Sequence, residues 1–321
     1  MGLSPSLQAA LRAHSTHRHS LVSNAPRSRR KNPLRLDPTR TTALRVQFIK
    51  EVKQRFTRLK KSVRDFMLHK DALGLVTHAS PGHQQYRFQT DDKKLTAFNT
   101  WFKQQVEEDV IRPISASGSL WAAPSGSMAT GPWTNKYVES AYKKGTLNAY
   151  LQAKKEDLAA QTDFAQMSQQ QFLRDAFLQP ETTSKVQLLA TRAWENMKGV
   201  TDSMGTKLNQ ILAQGMIDGS GAEDIADNMT DAIDGLTDAR ALTIARTEII
   251  HAHAEGQLDA YEDLGVTELG VDVEWSTAND ERVCPDCEDM EGQTFSVDEA
   301  RGLIPLHPNC RCSWISATST K

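Results

Sequence analysis

Apolar residues recur at steps of three and four along most of this chain, and the helices it predicts follow from that spacing. Asp37 reads as an N-cap with Pro38 as the first helical residue. Leu44, Phe48, Val52, Phe56, Leu59, Val63 and Phe66 then draw one stripe on a helix of about eight turns. Tyr86 and Phe88 alternate with polar neighbours and predict a short strand. Leu95, Phe98, Phe102, Val106 and Val110 mark a further helix that ends near Pro113. Ser, Gly, Ala and Pro crowd residues 114–132, which reads as a loop or hinge beside Trp121 and Trp133. Another helix is expected from about Asn135 to Gln152, with Gly145 marking a close contact or a break.

Residues 163–199 are helical in pattern and interrupted at Pro180. Leu208, Ile211, Leu212 and Met216 line a helix that stops at Asp218-Gly219. Ile225, Met229 and Ile233 line the next, which is expected to end near Gly235. Thr237 or Asp238 is then read as the cap of a third, running to Leu264 and closing at Gly265. Val271 to Trp275 alternates as a strand, Met290 to Phe295 turns into a second, and Ser313-Trp314-Ile315 reads as a third. The fold class is therefore mainly α, a helical body with a small α+β C-terminal lobe containing a Cys/His cluster. The segments are a basic flexible arm (1–36), an N-terminal helical region (37–113), the loop (114–132), a second helical region (133–201), a C-terminal domain (202–316) and a tail (317–321).

Charge changes this picture. The net charge is −2, yet residues 1–64 carry 16 Lys/Arg against Asp37 and Glu51 alone, a surplus of +14 that leaves −16 on the rest. A basic end on an acidic body suggests a polyanionic partner. Arg27, Arg29, Arg30 and Lys31 on the arm, and Arg45, Lys53, Lys60, Lys61 and Arg64 on the first helix, are the candidate nucleic-acid contacts. A solvated face is the alternative for the helix residues. The arm's composition also fits a transit peptide, and its first residues fit the loose myristoylation pattern. No signal-peptide core and no transmembrane stretch is present, so no membrane partner is expected.

All four cysteines lie between Trp275 and Trp314, as Cys284-x-x-Cys287 and Cys310-x-Cys312, with His307 three residues before Cys310. Two thiol pairs and an imidazole give five candidates for the four N/S positions of a structural zinc. Reduced cysteines packed without metal, and a redox or nucleophilic thiol, are the alternatives. The long C-terminal helix carries Arg246-Thr247-Glu248 and His251-x-His253-x-Glu255. A His-x-His spacing splays the rings to different faces of a helix, so the plainer reading is that Arg246 and Glu248 tie this helix to the cysteine lobe.

Arg246-Thr247-Glu248, Gly256, Glu274-Trp275, Asp280 to Cys287, Gly292-Gln293 and His307-Pro308-Asn309-Cys310-Arg311-Cys312, in that order, resemble the phage Mu protein F-like family of minor head (head morphogenesis) proteins. The resemblance covers about residues 202–316. It implies a virion or procapsid component, present in few copies and made in the host cytoplasm. It further implies association with the portal protein, contacts with scaffold or major capsid protein, and action in packaging or delivery of double-stranded DNA without enzymatic activity. Two other function classes remain open on the residues: a zinc-dependent nuclease using His251, Glu255 or the lobe histidine, and a stand-alone nucleic-acid-binding protein.

Overall fold

The computed structural model describes residues 37–76, 91–111, 132–156, 167–265 and 271–317. The arm with Arg27, Arg29, Arg30 and Lys31, the strand expected at Tyr86 and Phe88, and most of the 114–132 loop lie outside the described residues.

Among the described residues, seven longer helices carry the body: α1 (Thr42–Arg64), α2 (Asp91–Val106), α3 (Asn135–Lys155), α4 (Gln169–Leu178), α5 (Pro180–Asp218), α6 (Ala222–Leu236) and α7 (Leu242–Asp263). The apolar stripe expected on α1 is the buried one, from Leu44 through Val63 to Phe66. Its start differs from expectation. Arg40 has a left-handed φ of 52°, so Pro38 to Thr41 form a turn rather than the first helical turn. Asp37 still caps, because its carboxylate reaches five residues ahead to accept from the Thr42 N–H at 2.8 Å. Pro180 interrupts as expected, by opening α5 as its first residue, where its missing N–H costs nothing. Gly219, at φ 68°, closes α5 in the left-handed conformation that a side chain disfavours.

The junction after α6 corrects the sequence reading. Gly235 does not end the helix, and Thr237 caps nothing. Thr237 to Ala241 form a single wide helical turn that leads directly into α7. Its hydroxyl donates back to the Ile233 carbonyl at 2.7 Å, so it continues the helix instead of starting one. Helix α5 likewise runs unbroken through residues 201 and 202.

Helix α7 is buried on nearly every side, including His251, His253, Glu255 and Gln257. A helix without a solvent face needs neighbours all round, and α3 supplies the closest. At the crossing, a Cβ on Gly145 would fall 2.0 Å from the His253 carbonyl oxygen, and one on Gly256 would fall 2.3 Å from the Tyr142 carbonyl oxygen. The two glycines therefore let the backbones touch, which settles Gly145 as a close contact rather than a break.

Two apolar cores meet along this pair. The larger joins α1, α2, α5 and α6 with one half of α3 and α7. The smaller takes Ala149, Tyr150 and Ala153 from α3 and Ile250, Ala254 and Leu258 from α7 into the C-terminal lobe. That lobe holds an antiparallel sheet of order β2-β1-β3, from β1 (Asp272–Ser276), β2 (Thr294–Phe295) and β3 (Ser313–Ala317), with short helices α8 (Pro285–Met290) and α9 (Val297–Ala300). Trp275 lies opposite Trp314 in the β1–β3 register, and the buried rings meet edge to face at 5.3 Å. The mainly helical body and the small β-containing lobe agree with the expectation from periodicity.

Candidate metal centre and its supports

Cys284 caps α8, accepting at Sγ from the Cys287 N–H at 3.4 Å, and Pro285 takes the first helical position. This turn brings both sulfurs to one side. His307 Nε2 lies 3.1 Å from Cys284 Sγ and 3.1 Å from Cys287 Sγ. Cys287 Sγ lies 3.9 Å from Cys310 Sγ. The five predicted ligands thus form two overlapping groups, Cys284–Cys287–His307 and Cys287–Cys310–Cys312, each with donor atoms within 4.8 Å of one another. Cys287 belongs to both. Among the described residues these are the groups of three or more His, Cys, Asp or Glu that come so close.

The donor set fits a tetrahedral thiophilic cation. Zinc–sulfur bonds of about 2.3 Å place two tetrahedral sulfurs about 3.8 Å apart, close to the Cys287–Cys310 separation of 3.9 Å. The imidazole is oriented for ligation, because its Nδ1 lies 2.8 Å from the Pro308 carbonyl oxygen, which directs the Nε2 lone pair at the thiols. Electrostatics point the same way. Hydrogen bonds from Cys287 and Cys312 push the Cys310 thiol well down toward the thiolate. Cys287 is pushed up beside Cys310, as is Cys312. A divalent cation bound at this group would favour the thiolate form of its remaining thiols. The buried indole N–H of Trp275 faces the Cys312 sulfur without closing a regular hydrogen bond.

The knot is fastened to the body by residues the sequence only partly announced. Arg311 grips the Asp280 carboxylate with two nitrogens, at 2.7 and 2.5 Å, which holds Asp280 far below the usual carboxylate range. Arg246 donates to the Asn309 side chain at 3.3 Å, and Thr247 Oγ1 accepts from the Asn309 N–H at 3.2 Å. Asn309 sits at a left-handed φ of 64° between His307 and Cys310. Arg246 and Thr247 therefore do tie α7 to the cysteine lobe. Glu248 does not: it faces α5, accepting from Asn196 at 3.0 Å with Arg192 3.6 Å away, because it lies about 100° round the helix from Thr247 and about 200° from Arg246. Gln257, fully buried, was missed. Its amide donates to the Trp314 carbonyl at 2.8 Å and accepts from the Trp314 N–H at 3.1 Å, giving the free edge of β3 a partner. Among the many polar residues of this helix nothing in the sequence singles Gln257 out.

Among the described residues His251 and Glu255 belong to no three-ligand group. His251 lies against Arg192 at 3.0 Å, and its Nε2 is 3.9 Å from Glu255, which accepts instead from the Gly302 N–H at 3.0 Å. Burial first, then Arg192, lowers His251 from 6.5 to about 4. A histidine lowered in the folded state takes its proton more readily when unfolded. Its contribution to stability is complete above about pH 6.5 and is lost as the pH falls toward 4. The melting temperature should therefore fall across that window, and His251→Gln should flatten the fall by an amount on the order of 2–3 kcal/mol. The neighbouring Glu248, raised by burial, works in the opposite sense, so the comparison of the two proteins across a pH series is the readout.

Four of the five predicted nucleic-acid contacts on α1 are paired within the fold. Arg45 meets Asp37 at 3.3 Å, Lys53 meets Asp238 at 3.3 Å, Lys60 meets Asp234, and Arg64 meets Asp227 and, at 3.6 Å, Glu223. Lys61 is exposed and makes no ion pair among the described residues. Part of the basic-end, acidic-body asymmetry is thus answered by α6 itself. No helix among the described residues is long and apolar enough to cross a membrane.

No curated protein and no solved structure matches this chain. A family model does, over about a third of its length and over the part that holds α6, α7, the sheet and every cysteine. Residues 206–315 match the family described as Phage Mu protein F like protein, in agreement with the resemblance carried by the motifs from Arg246 to Cys312.

Proposed function

We propose that this chain is a minor head protein of a tailed phage or prophage, a non-enzymatic virion component that works at the portal vertex in head morphogenesis and in packaging or delivery of DNA. The family match over residues 206–315 carries this reading. The site's chemistry supports it. The converging ligands are mostly buried thiols, which suit a closed structural ion, whereas catalytic zinc sites keep a position open and draw on more histidine and carboxylate. In this reading four of the five residues Cys284, Cys287, His307, Cys310 and Cys312 ligate one zinc. The metal's role is to hold the lobe together, since the lobe's own core is small. Portal protein is the proposed partner of the folded body, with scaffold or major capsid protein as further neighbours.

Contact with double-stranded DNA belongs to the basic N-terminal part, supported by its surplus of +14 over residues 1–64. Co-expression of the tagged chain with the portal protein of its own phage locus tests the reading. A stable complex on gel filtration is expected. Clean separation of the two at low salt counts against it. Supercoiled plasmid incubated with the protein and zinc or magnesium should stay intact; nicking that disappears in His251→Ala would favour the nuclease reading instead.

A further inference from the structure

The ion pairs between α1 and α6 form an ordered ladder. Lys53, Lys60 and Arg64 are seven and four residues apart, so they fall on one edge of α1 within about 40° of one another. Their partners Asp238, Asp234 and Asp227 run in the opposite direction, four and seven residues apart along α6 and the turn after it. All three pairs face water: Lys53 and Asp238 are 54% and 66% exposed, and Arg64 and Asp227 are 39% and 55% exposed. Below them lies a separate apolar seam, in which Leu59 and Val63 of α1 and Ile225, Met229 and Ile233 of α6 are buried. The seam holds the helices together, so the cations are free to swing away from the carboxylates without unfolding either helix. Exposed pairs of this kind are weak and exchange readily with other anions.

We propose that the ladder is a masked duplex-DNA face, in which the α6 carboxylates occupy the α1 cations that phosphates would otherwise take. This rests on the reading of the N-terminal part as DNA-contacting, and adds to it an internal competitor that keeps the face weak toward duplex until the carboxylates are displaced. The row of carboxylates along one helix edge imitates the row of phosphates along one strand. A phosphate backbone offers a row of the same sign, and its pairing with the cations gains from counterion release that the internal pair does not.

The test uses the full chain and a short duplex of random sequence in a salt series. Asp227→Asn, Asp234→Asn and Asp238→Asn together should raise affinity at least tenfold near 0.1 M salt. They should also steepen the log–log salt dependence by about 2 to 3, as three newly available cations would. Glu281→Gln, Asp289→Asn and Asp298→Asn together, on the exposed C-terminal lobe, make the same change in net charge and should give a far smaller gain. Adding Lys53→Gln, Lys60→Gln and Arg64→Gln to the first variant should abolish its gain. A gain equal in both acid-neutralised proteins, or none in the first, overturns the ladder. Deleting residues 1–36 separates the two ideas: if affinity drops with the arm while the Asn variant shows no gain, the DNA reading stands and the ladder falls. If the parent binds no duplex and the Asn variant does, masking is upheld and DNA contact by the unassisted protein is not. Binding by neither removes both.

Discussion

Cys287→Ser protein should purify without zinc and with its C-terminal lobe unfolded. Cys287 is the donor shared by both ligand groups, 3.1 Å from His307 Nε2 and 3.9 Å from Cys310 Sγ. Of the five ways to choose four of these donors, four include it. Little else holds the lobe: its sheet has five, two and five residues in its strands, and its helices α8 and α9 have six and four. Structural zinc contributes about 10–16 kcal/mol of apparent binding energy in small metal-folded domains, and most of that appears as folding energy. Loss of the ion should therefore exceed what the lobe's own packing can offset. Metal content by mass spectrometry should be about one zinc per parent chain and near zero in the variant. Amide exchange at β1 and β3 should become fast, while α1, α2 and α5 keep their protection. Cys284→Ser, His307→Ala, Cys310→Ser and Cys312→Ser then identify the fifth donor, since the variant that keeps its zinc marks the spare ligand. A parent protein that is metal-free after gentle purification and equally stable with chelator contradicts the zinc reading.

Gly145→Ala should destabilise the helical body by about 3 kcal/mol. In an ordinary helix interior the same change is favourable by about 1 kcal/mol, because alanine loses less backbone entropy than glycine. Here the new methyl would lie 2.0 Å from the His253 carbonyl oxygen and 3.1 Å from the Gln257 nitrogen. Both are backbone atoms of α7, which no rotamer change can move aside. Helices α3 and α7 would have to separate, and both cores meet along that pair. Gly199→Ala is the matched control. Gly199 also lies inside a helix, but open space surrounds its would-be Cβ, so the usual gain should appear. Gly256→Ala should repeat the loss, and combining it with Gly145→Ala should cost less than the two losses added, since one separation relieves both clashes. Chemical denaturation of the variants reads these signs directly. Stabilisation by Gly145→Ala would mean that the helices do not cross so closely.

The sequence was legible where one periodicity ran undisturbed. The α1 stripe from Leu44 to Phe66 and the strands around Trp275 and Trp314 are where their patterns placed them. The reading failed where a local signal competed with continuity. Gly235 and Thr237 look like a stop and a start, yet tertiary packing keeps the chain helical through both, at the cost of one wide turn. The candidate metal ligands were recognisable because thiols are few and paired. Their supports were not, since Asn309, Gln257 and the Asp280–Arg311 pair gain their meaning only from partners elsewhere in the chain, 31 to 63 residues away. Charge was ambiguous in a specific way. A row of lysines on a helix carries no record of the acids that will pack beside it, so the intramolecular partner on α6 could not be told from an external polyanion.

The most direct measurement of the central claim is the protein composition of purified particles. Particles are collected from the phage or induced prophage that encodes this sequence, separated into procapsids and mature virions, and quantified by peptide mass spectrometry against the portal protein. The account predicts the chain in both fractions, at a copy number comparable to or below that of the portal and far below the major capsid protein. Absence from both, with the portal present, would contradict a role in the head.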